Sequence, residues 1–272
     1  MLLCRPLNLF GIGLAVATSI KLAGGGRTFD GTDLAVVAGW VLLAAGGYLI
    51  DEARDSECDA RFQPTRPIPS GLVSRELAFR MGTGLLAAGA AVLVFGYTGI
   101  WLVGAAAALV LYGYGDGLKR ASGLAANATI SALLALALMS GGFRSGEWRA
   151  VAVLALIVFW TNLGREIIMD IVDLEADRSQ NYRTIPLIHG VRAARSLAGV
   201  FLILGGCIGY LLPETGSVSR PGFAARLTVV NLGLAWTIVL PLMTGRGDPR
   251  RLVVFAKVVM FAYLVLIALQ LP

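Results

Sequence analysis

Charge is scarce in this sequence. Only 15% of its 272 residues are Asp, Glu, Lys or Arg, against about 25% in a soluble domain. That leaves too little polar surface to clothe a water-soluble fold. Cysteine and histidine are nearly missing. Cys4, Cys58 and Cys207 lie far apart and make no metal or disulfide pattern, and the single histidine, His189, cannot build a His-based metal site alone. What is present instead is apolar: 57% of the chain, with a mean hydropathy of +0.75 over its whole length. One anchor helix could not produce that average, so the bilayer is the implied solvent. The first apolar run, from Leu7, is long enough to read as a helix rather than as a cleavable leader.

A spanning helix needs roughly 20 apolar residues. Nine runs qualify, at about 7–24, 33–50, 77–96, 98–114, 124–142, 149–164, 193–213, 226–244 and 252–271. The expected architecture is an all-α integral membrane bundle of nine transmembrane helices around a central cavity, one domain spanning 1–272. Gly and Ala are dense within the runs, as at 85–91 and 104–110, and such residues let helices approach closely in lipid. The net charge of +6 sits between the runs, so topology accounts for it better than nucleic acid does. Sixteen Lys and Arg fall on one side, with Arg5 and the loops near 51–80, 115–123, 165–195 and 245–251. The other side holds six: Lys21, Arg27, Arg144, Arg149, Arg220 and Arg226. The positive-inside bias makes the first side cytoplasmic.

Ten of the 17 carboxylates crowd two short windows: Asp51, Glu52, Asp55, Glu57 and Asp59, then Glu166, Asp170, Asp173, Glu175 and Asp177. Spacings of three and four place Glu52, Asp55 and Asp59 on one helix face, and Asp170, Asp173 and Asp177 on another. The two trios repeat at a constant offset, and an Ile-Pro pair follows each, at 68–69 and 185–186. The pattern reads as two related halves, about 1–120 and 121–272, with a site at their interface. Like charges so spaced repel, and carboxylates at membrane depth are costly. A single acidic helix end could be neutralised by arginines such as Arg54, Arg61, Arg165 and Arg178. Two matching stripes on one side call for more, and Mg²⁺, a hard cation held by a few carboxylates and substrate phosphates, supplies it.

Base is interleaved with the acid. Arg66 lies in "TRPIPSG" at 65–71, Lys119 and Arg120 in "DGLKR" at 116–120, and Arg165 in "GRE" at 164–166. Arg offers phosphate a planar fork and Lys a mobile point charge. Metal and cations together suit an allylic diphosphate, whose carbon–oxygen bond ionises when charge on the leaving group is neutralised. The resulting cation needs a dry pocket, and Tyr112, Tyr114 and Trp160 could face it by cation–π contact, though interfacial aromatics are commonly plain anchors.

These residues resemble the UbiA superfamily of intramembrane prenyltransferases. Its first motif, N-D-x-x-D-x-x-x-D followed by R-P-I-P-S-G, is matched by "DEARDSECDARFQPTRPIPSG" at 51–71. Its second, D-x-x-D-x-x-x-D, is matched by "DIVDLEAD" at 170–177, preceded by "GRE" and followed by "RTIPLIHG". Within it, "RPLNLFGIGLAV", "YGYGDGLKR" and "GREIIMDIVDLEADRSQNYRTIPLIHG" look most like the enzymes that add a second geranylgeranyl chain to a glycerol-phosphate ether lipid. The resemblance implies two Mg²⁺ ions, with Asp51, Asp55, Asp173 and Asp177 as leading ligands and Glu52, Asp59 and Asp170 in support. It implies a catalytic part for Asp55, Asp59, Asp173, Asp177 and Lys119. Arg66, Lys119 and Arg120 would hold the diphosphate, while Arg5 and Asn8 border the cavity. The chain departs from the motif at Asp51-Glu52, where the family has Asn-Asp. The expected reaction moves a prenyl group from its diphosphate to a lipophilic acceptor in the membrane, either a glycerol-phosphate ether lipid or an aromatic quinone precursor. An intramembrane terpene cyclase of the same superfamily is the alternative. A cation transporter fits less well, because transporter carboxylates belong near the midplane.

Overall fold

The computed structural model describes residues 5–24, 27–216, 218 and 222–269. Cys4, Arg220 and the end of the last apolar run lie outside them. Among the described residues the secondary structure is wholly helical. The helices are α1 (Pro6–Gly24), α2 (Gly31–Phe62), α3 (Arg75–Val92), α4 (Ile100–Gly113), α5 (Asp116–Ala121), α6 (Gly123–Leu138) and α7 (Ser140–Ser145). They continue as α8 (Trp148–Val172), α9 (Leu174–Ser179), α10 (Ile185–Ile208), α11 (Phe223–Leu234), α12 (Leu240–Met243) and α13 (Pro249–Ala268). A π-helical turn, Ala235–Val239, joins α11 to α12.

Among the described residues, eight helical stretches are long and apolar enough to cross a membrane. They coincide with eight of the nine apolar runs. The remaining run forms α4, whose 14 residues span only about 21 Å, short of a hydrocarbon core of roughly 30 Å. Its ends explain the length. Gly99 enters at φ 85, and the chain turns extended at Tyr114, whose carbonyl accepts a hydrogen bond from Arg54. Many large apolar side chains point outward, among them Phe95, Leu109 and Trp236, as lipid solvent allows.

Contacts divide the chain into two compact units: 1–17 with 28–115, and 18–27 with 116–272. In the first unit, α2 begins with a reciprocal cap. The Asp30 carboxylate accepts from the Thr32 and Asp33 amides, and the Asp33 carboxylate accepts from the Asp30 amide. Asp33 is fully buried and also accepts from the Tyr97 hydroxyl. Two glycine pairs let α2 and α3 touch backbone to backbone. A methyl group at Gly46 would sit 2.7 Å from the Gly82 carbonyl oxygen, and one at Gly89 would sit 2.8 Å from that of Gly39. In the second unit α8 and α10 pack the same way: a methyl at Gly164 would lie 2.9 Å from the Ala198 carbonyl oxygen. Around that contact Ile167, Ile168, Leu202, Ile238 and Leu242 form the core.

Two elements differ from the sequence reading in ways that place the acidic residues. Helix α2 runs twelve residues past the apolar run that ends at 50, so Glu52, Asp55 and Asp59 ride on one unbroken helix. The second trio does not. Helix α8 ends at Val172, and the backbone of the next residue, Asp173 (φ −94, ψ 14), breaks the helix before α9 resumes. The Asp177 amide still donates to the Asp173 carbonyl at 2.8 Å, so the last two acids stay one turn apart.

Candidate active site

In the first unit the acidic stripe meets a folded loop. The segment after α2 winds through tight turns: the Ser70 amide donates to the Arg66 carbonyl at 2.9 Å and the Gly71 amide to the Ile68 carbonyl at 3.0 Å. Gly71 has φ 80, a left-handed conformation that suits glycine. Ile68 is buried with Leu49, Ala53 and Ala78. That apolar plug fixes the loop, and Arg66 with it, against α2. Arg66 Nη1 donates to Asp59 Oδ2 at 2.7 Å and to Glu52 Oε2 at 3.3 Å. From the start of the chain, Arg5 Nη2 donates to Glu52 Oε1 at 2.9 Å and lies 3.7 Å from Asp51 Oδ2. The Arg5 guanidinium stacks 5.2 Å over the Tyr48 ring, and the Asn8 amide donates to the Tyr48 hydroxyl at 3.3 Å. Glu52 and Asp59 are buried, and Asp51 and Asp55 are partly exposed.

Arg54, one residue before Asp55, does a different job. It donates to the carbonyls of Tyr112, at 2.6 Å, and Tyr114, serving the C-terminal end of α4 that helix geometry leaves without partners. The Tyr112 ring is exposed and tilts against Phe79, 6.0 Å between centroids.

In the second unit Lys119 is positioned by its own backbone. The Arg183 amide donates to the Lys119 carbonyl at 3.0 Å, and the Gly123 amide to the Arg183 carbonyl at 2.9 Å. Gly123 permits this approach, since a methyl there would lie 2.6 Å from the Thr184 Cα. So held, Lys119 Nζ lies 3.6 Å from Asp177 Oδ1 and 5.3 Å over the Tyr182 ring. Asp177 is buried, and its second oxygen, Oδ2, has no hydrogen-bond partner. Burial pushes the Asp177 carboxyl up to about 6; the Lys119 ammonium opposes the rise and the Asp173 charge adds to it. Arg120 is exposed and Asp173 partly exposed.

Asp170, 3% exposed, accepts from the Asn127 amide at 2.7 Å. The polar string continues inward: the Ser131 hydroxyl donates to the Asn127 carbonyl at 2.8 Å, and the Asn162 amide to the Ser131 hydroxyl at 3.1 Å. Arg165 closes it, donating to Asn162 Oδ1 at 3.3 Å and pairing with Glu166 at 2.5 Å. Trp160 lies away from the string in an aromatic trio, 5.1 Å from both Phe159 and Phe201.

Of the acids and bases named from the sequence, Asp51, Glu52 and Asp59 meet Arg5 or Arg66, and Asp177 meets Lys119; the sequence reading missed several groups around them: Tyr48, Asn127, Ser131, Asn162 and the capping role of Arg54. A signal existed for the two asparagines. A polar amide inside an apolar run is rare enough to be a functional candidate.

All the donors here are carboxylate oxygens, which suit a hard dication, and the orphaned Asp177 Oδ2 is a buried lone pair in need of a positive partner. Among the described residues no three carboxylates converge into a ready cage. Magnesium is ordinarily held by one or two carboxylates with water and substrate phosphate, so these residues fit it in that open mode. The neighbouring guanidinium and ammonium groups can take phosphate oxygens.

The fold and these two charged sets define an intramembrane prenyltransferase: residues 12–265 match the UbiA prenyltransferase family, and the chain belongs to it. It is an integral membrane enzyme of that class. Similar proteins include the digeranylgeranylglyceryl phosphate synthase of Methanothermobacter thermautotrophicus, 32% identical over 90% of this chain and 85% of that one. That of Methanopyrus kandleri is 35% identical over 74% and 73% of the two chains. Among solved structures, one of digeranylgeranylglyceryl phosphate synthase superposes with a TM-score of 0.77, covering 98% of this chain and 95% of that one at 20% identity. A UbiA homolog from Archaeoglobus fulgidus, bound to DMAPP and Mg²⁺, superposes at 0.67, with 99% and 97% covered at 15% identity. At those identities the structures share the fold.

Proposed function

We propose that this enzyme transfers a prenyl group from its diphosphate, with Mg²⁺, to a glycerol-phosphate ether lipid already carrying one prenyl chain. The observation that carries the reading is the buried Asp177, held at 3.6 Å by Lys119 on one oxygen and unpartnered on the other. Such a pair offers an ion a ligand and a diphosphate a cation within a few ångströms. The relatives named digeranylgeranylglyceryl phosphate synthase, from several archaea, support the acceptor class.

Asp51 and Asp55 in one set, and Asp173 and Asp177 in the other, would each hold an ion, two in all. Asp59 and Asp170 support them from buried positions. Bound there, magnesium would neutralise charge gathering on the diphosphate as the allylic carbon–oxygen bond lengthens. Lys119, Arg120 and Arg66 would bind diphosphate oxygens and stabilise that charge further. Arg5 and Asn8 border the space the acceptor enters, and a phosphate on the acceptor finds its counter-charge at Arg5. The Tyr112 ring, exposed beside Phe79, faces the allylic cation. Arg165, tied to Glu166 and Asn162, contributes positive potential. The strong bias of Lys and Arg puts these loops on the cytoplasmic side.

Mass spectrometry of products from the purified enzyme tests this directly. A prenyl diphosphate and an alkylglycerol phosphate together should give a diether phosphate. A terpene hydrocarbon or alcohol from the diphosphate alone would make the enzyme a cyclase. Thiol labelling of a cysteine placed at Thr65, from outside intact cells, should fail until the membrane is opened.

A further inference from the structure

Glu52 stands where the chain departs from its family motif, and it is buried where Asp55 is partly exposed. Its side chain is 7% exposed. Arg5 Nη2 reaches Oε1 at 2.9 Å, and Arg66 Nη1 reaches Oε1 at 3.4 Å and Oε2 at 3.3 Å. Both carboxylate oxygens are thus engaged by two guanidiniums. A dication placed on the same carboxylate would face two like charges at close range in a partly desolvated setting, where repulsion is weakly screened.

The arginines, in turn, are only half used. Among the described residues, the side-chain hydrogen bonds of Arg5 run through Nη2 and those of Arg66 through Nη1. The two side chains keep 36% and 28% of their surface. A guanidinium carries five N–H donors in a planar fork. Each head therefore has its inner edge on Glu52, joined there by Asp51 and Asp59 respectively, and an outer edge for another anion. Tyr48 backs the Arg5 head from below.

We propose that Glu52 is a positioning residue that clasps Arg5 and Arg66 and presents their outer edges to phosphoryl oxygens of a substrate, and is not itself a ligand of the ion. This rests on the reading of the site given above. The chemistry recognised is a phosphate ester; the donor's diphosphate and the acceptor's phosphomonoester share it, so both are assayed.

The test compares Glu52→Gln, Glu52→Asp and Asp55→Asn. Glu52→Asp keeps the buried charge, and with it the fold, but falls one methylene short of reaching both guanidiniums. Three quantities are read: KM for a prenyl diphosphate, KM for an alkylglycerol phosphate, and Mn²⁺ binding by electron paramagnetic resonance without turnover. The expected result is a KM raised roughly tenfold or more for one phosphate substrate in Glu52→Gln, and by less in Glu52→Asp, the loss attending a misaligned charge-assisted hydrogen bond. Mn²⁺ binding should stay at the wild-type value in both, whereas Asp55→Asn should weaken it about tenfold or more. Glu52 variants that weaken Mn²⁺ binding as Asp55→Asn does would overturn the proposal. So would unchanged KM for both substrates with only a lower melting temperature. Should Asp55→Asn alone leave Mn²⁺ binding intact, the metal reading fails, and the clasp is still judged by the two KM values.

Discussion

Lys119→Met takes away the ammonium that faces the buried Asp177 carboxylate at 3.6 Å, and the size of the effect can be worked out. Leaving a buried charge without its partner costs about 3–5 kcal/mol when the charge has no outlet. Asp177 has one, because its carboxyl titrates at about 6. Protonating it at pH 7 costs only on the order of 1 kcal/mol, and a neutral carboxyl no longer needs Lys119. The charge contribution lost in the variant is therefore small at pH 7, on the order of 1 kcal/mol. The sign with pH follows. Asp177 has a raised pKa when folded, so as pH falls through 6 the wild type also takes up the proton and Lys119 ceases to help. The gap between the two proteins should shrink toward zero as the pH falls below 6. Turnover should fare far worse than stability, falling by about 10²–10³, the usual loss for one electrostatic donor at a reacting anion. Equilibrium unfolding in detergent with chelator, at pH 5 and pH 7, reads the first quantity, and kcat at saturating donor reads the second. A stability loss of about 3 kcal/mol or more at pH 7, a gap that widens on acidification, or wild-type kcat would each refute the reasoning.

Asp55→Ala and Asp173→Ala should abolish turnover while far-ultraviolet circular dichroism stays unchanged, and excess chelator should silence the wild type; full activity in any of the three contradicts the metal assignment. Gly46→Leu should cost about 1–3 kcal/mol or prevent folding, because its Cβ would meet the Gly82 carbonyl at 2.7 Å. Gly84→Ala, on the same helix pair but with nothing within 4 Å, should raise stability by about 0.5–1 kcal/mol, and the two together are read by melting temperature. Arg54→Ala should cost about 0.5–1.5 kcal/mol by removing the hydrogen bonds to the Tyr112 and Tyr114 carbonyls, and hydrogen exchange at 110–115 should quicken.

Hydropathy and spacing alone determined the class of this protein. Lipid cannot hydrogen-bond a backbone, so each span must appear as a run of apolar residues, and the runs coincide with the helices of the structure. The acidic windows were equally legible, because carboxylates at membrane depth are rare and those at helical spacing share a face. Tertiary structure decided who holds whom. Nothing in the spacing of Glu52 says that Arg5, 47 residues earlier, and Arg66, 14 later, reach the same carboxylate. Nor does it join Asn127 to Asp170 across 43 residues. Such pairs depend on how the elements that carry them pack, just as the close approach of α2 and α3 depends on Gly39, Gly46, Gly82 and Gly89 meeting backbone to backbone. The end of α4, whose last carbonyls find Arg54, is likewise a matter of distance that hydrophobic periodicity does not encode, and that periodicity shows no break at Asp173.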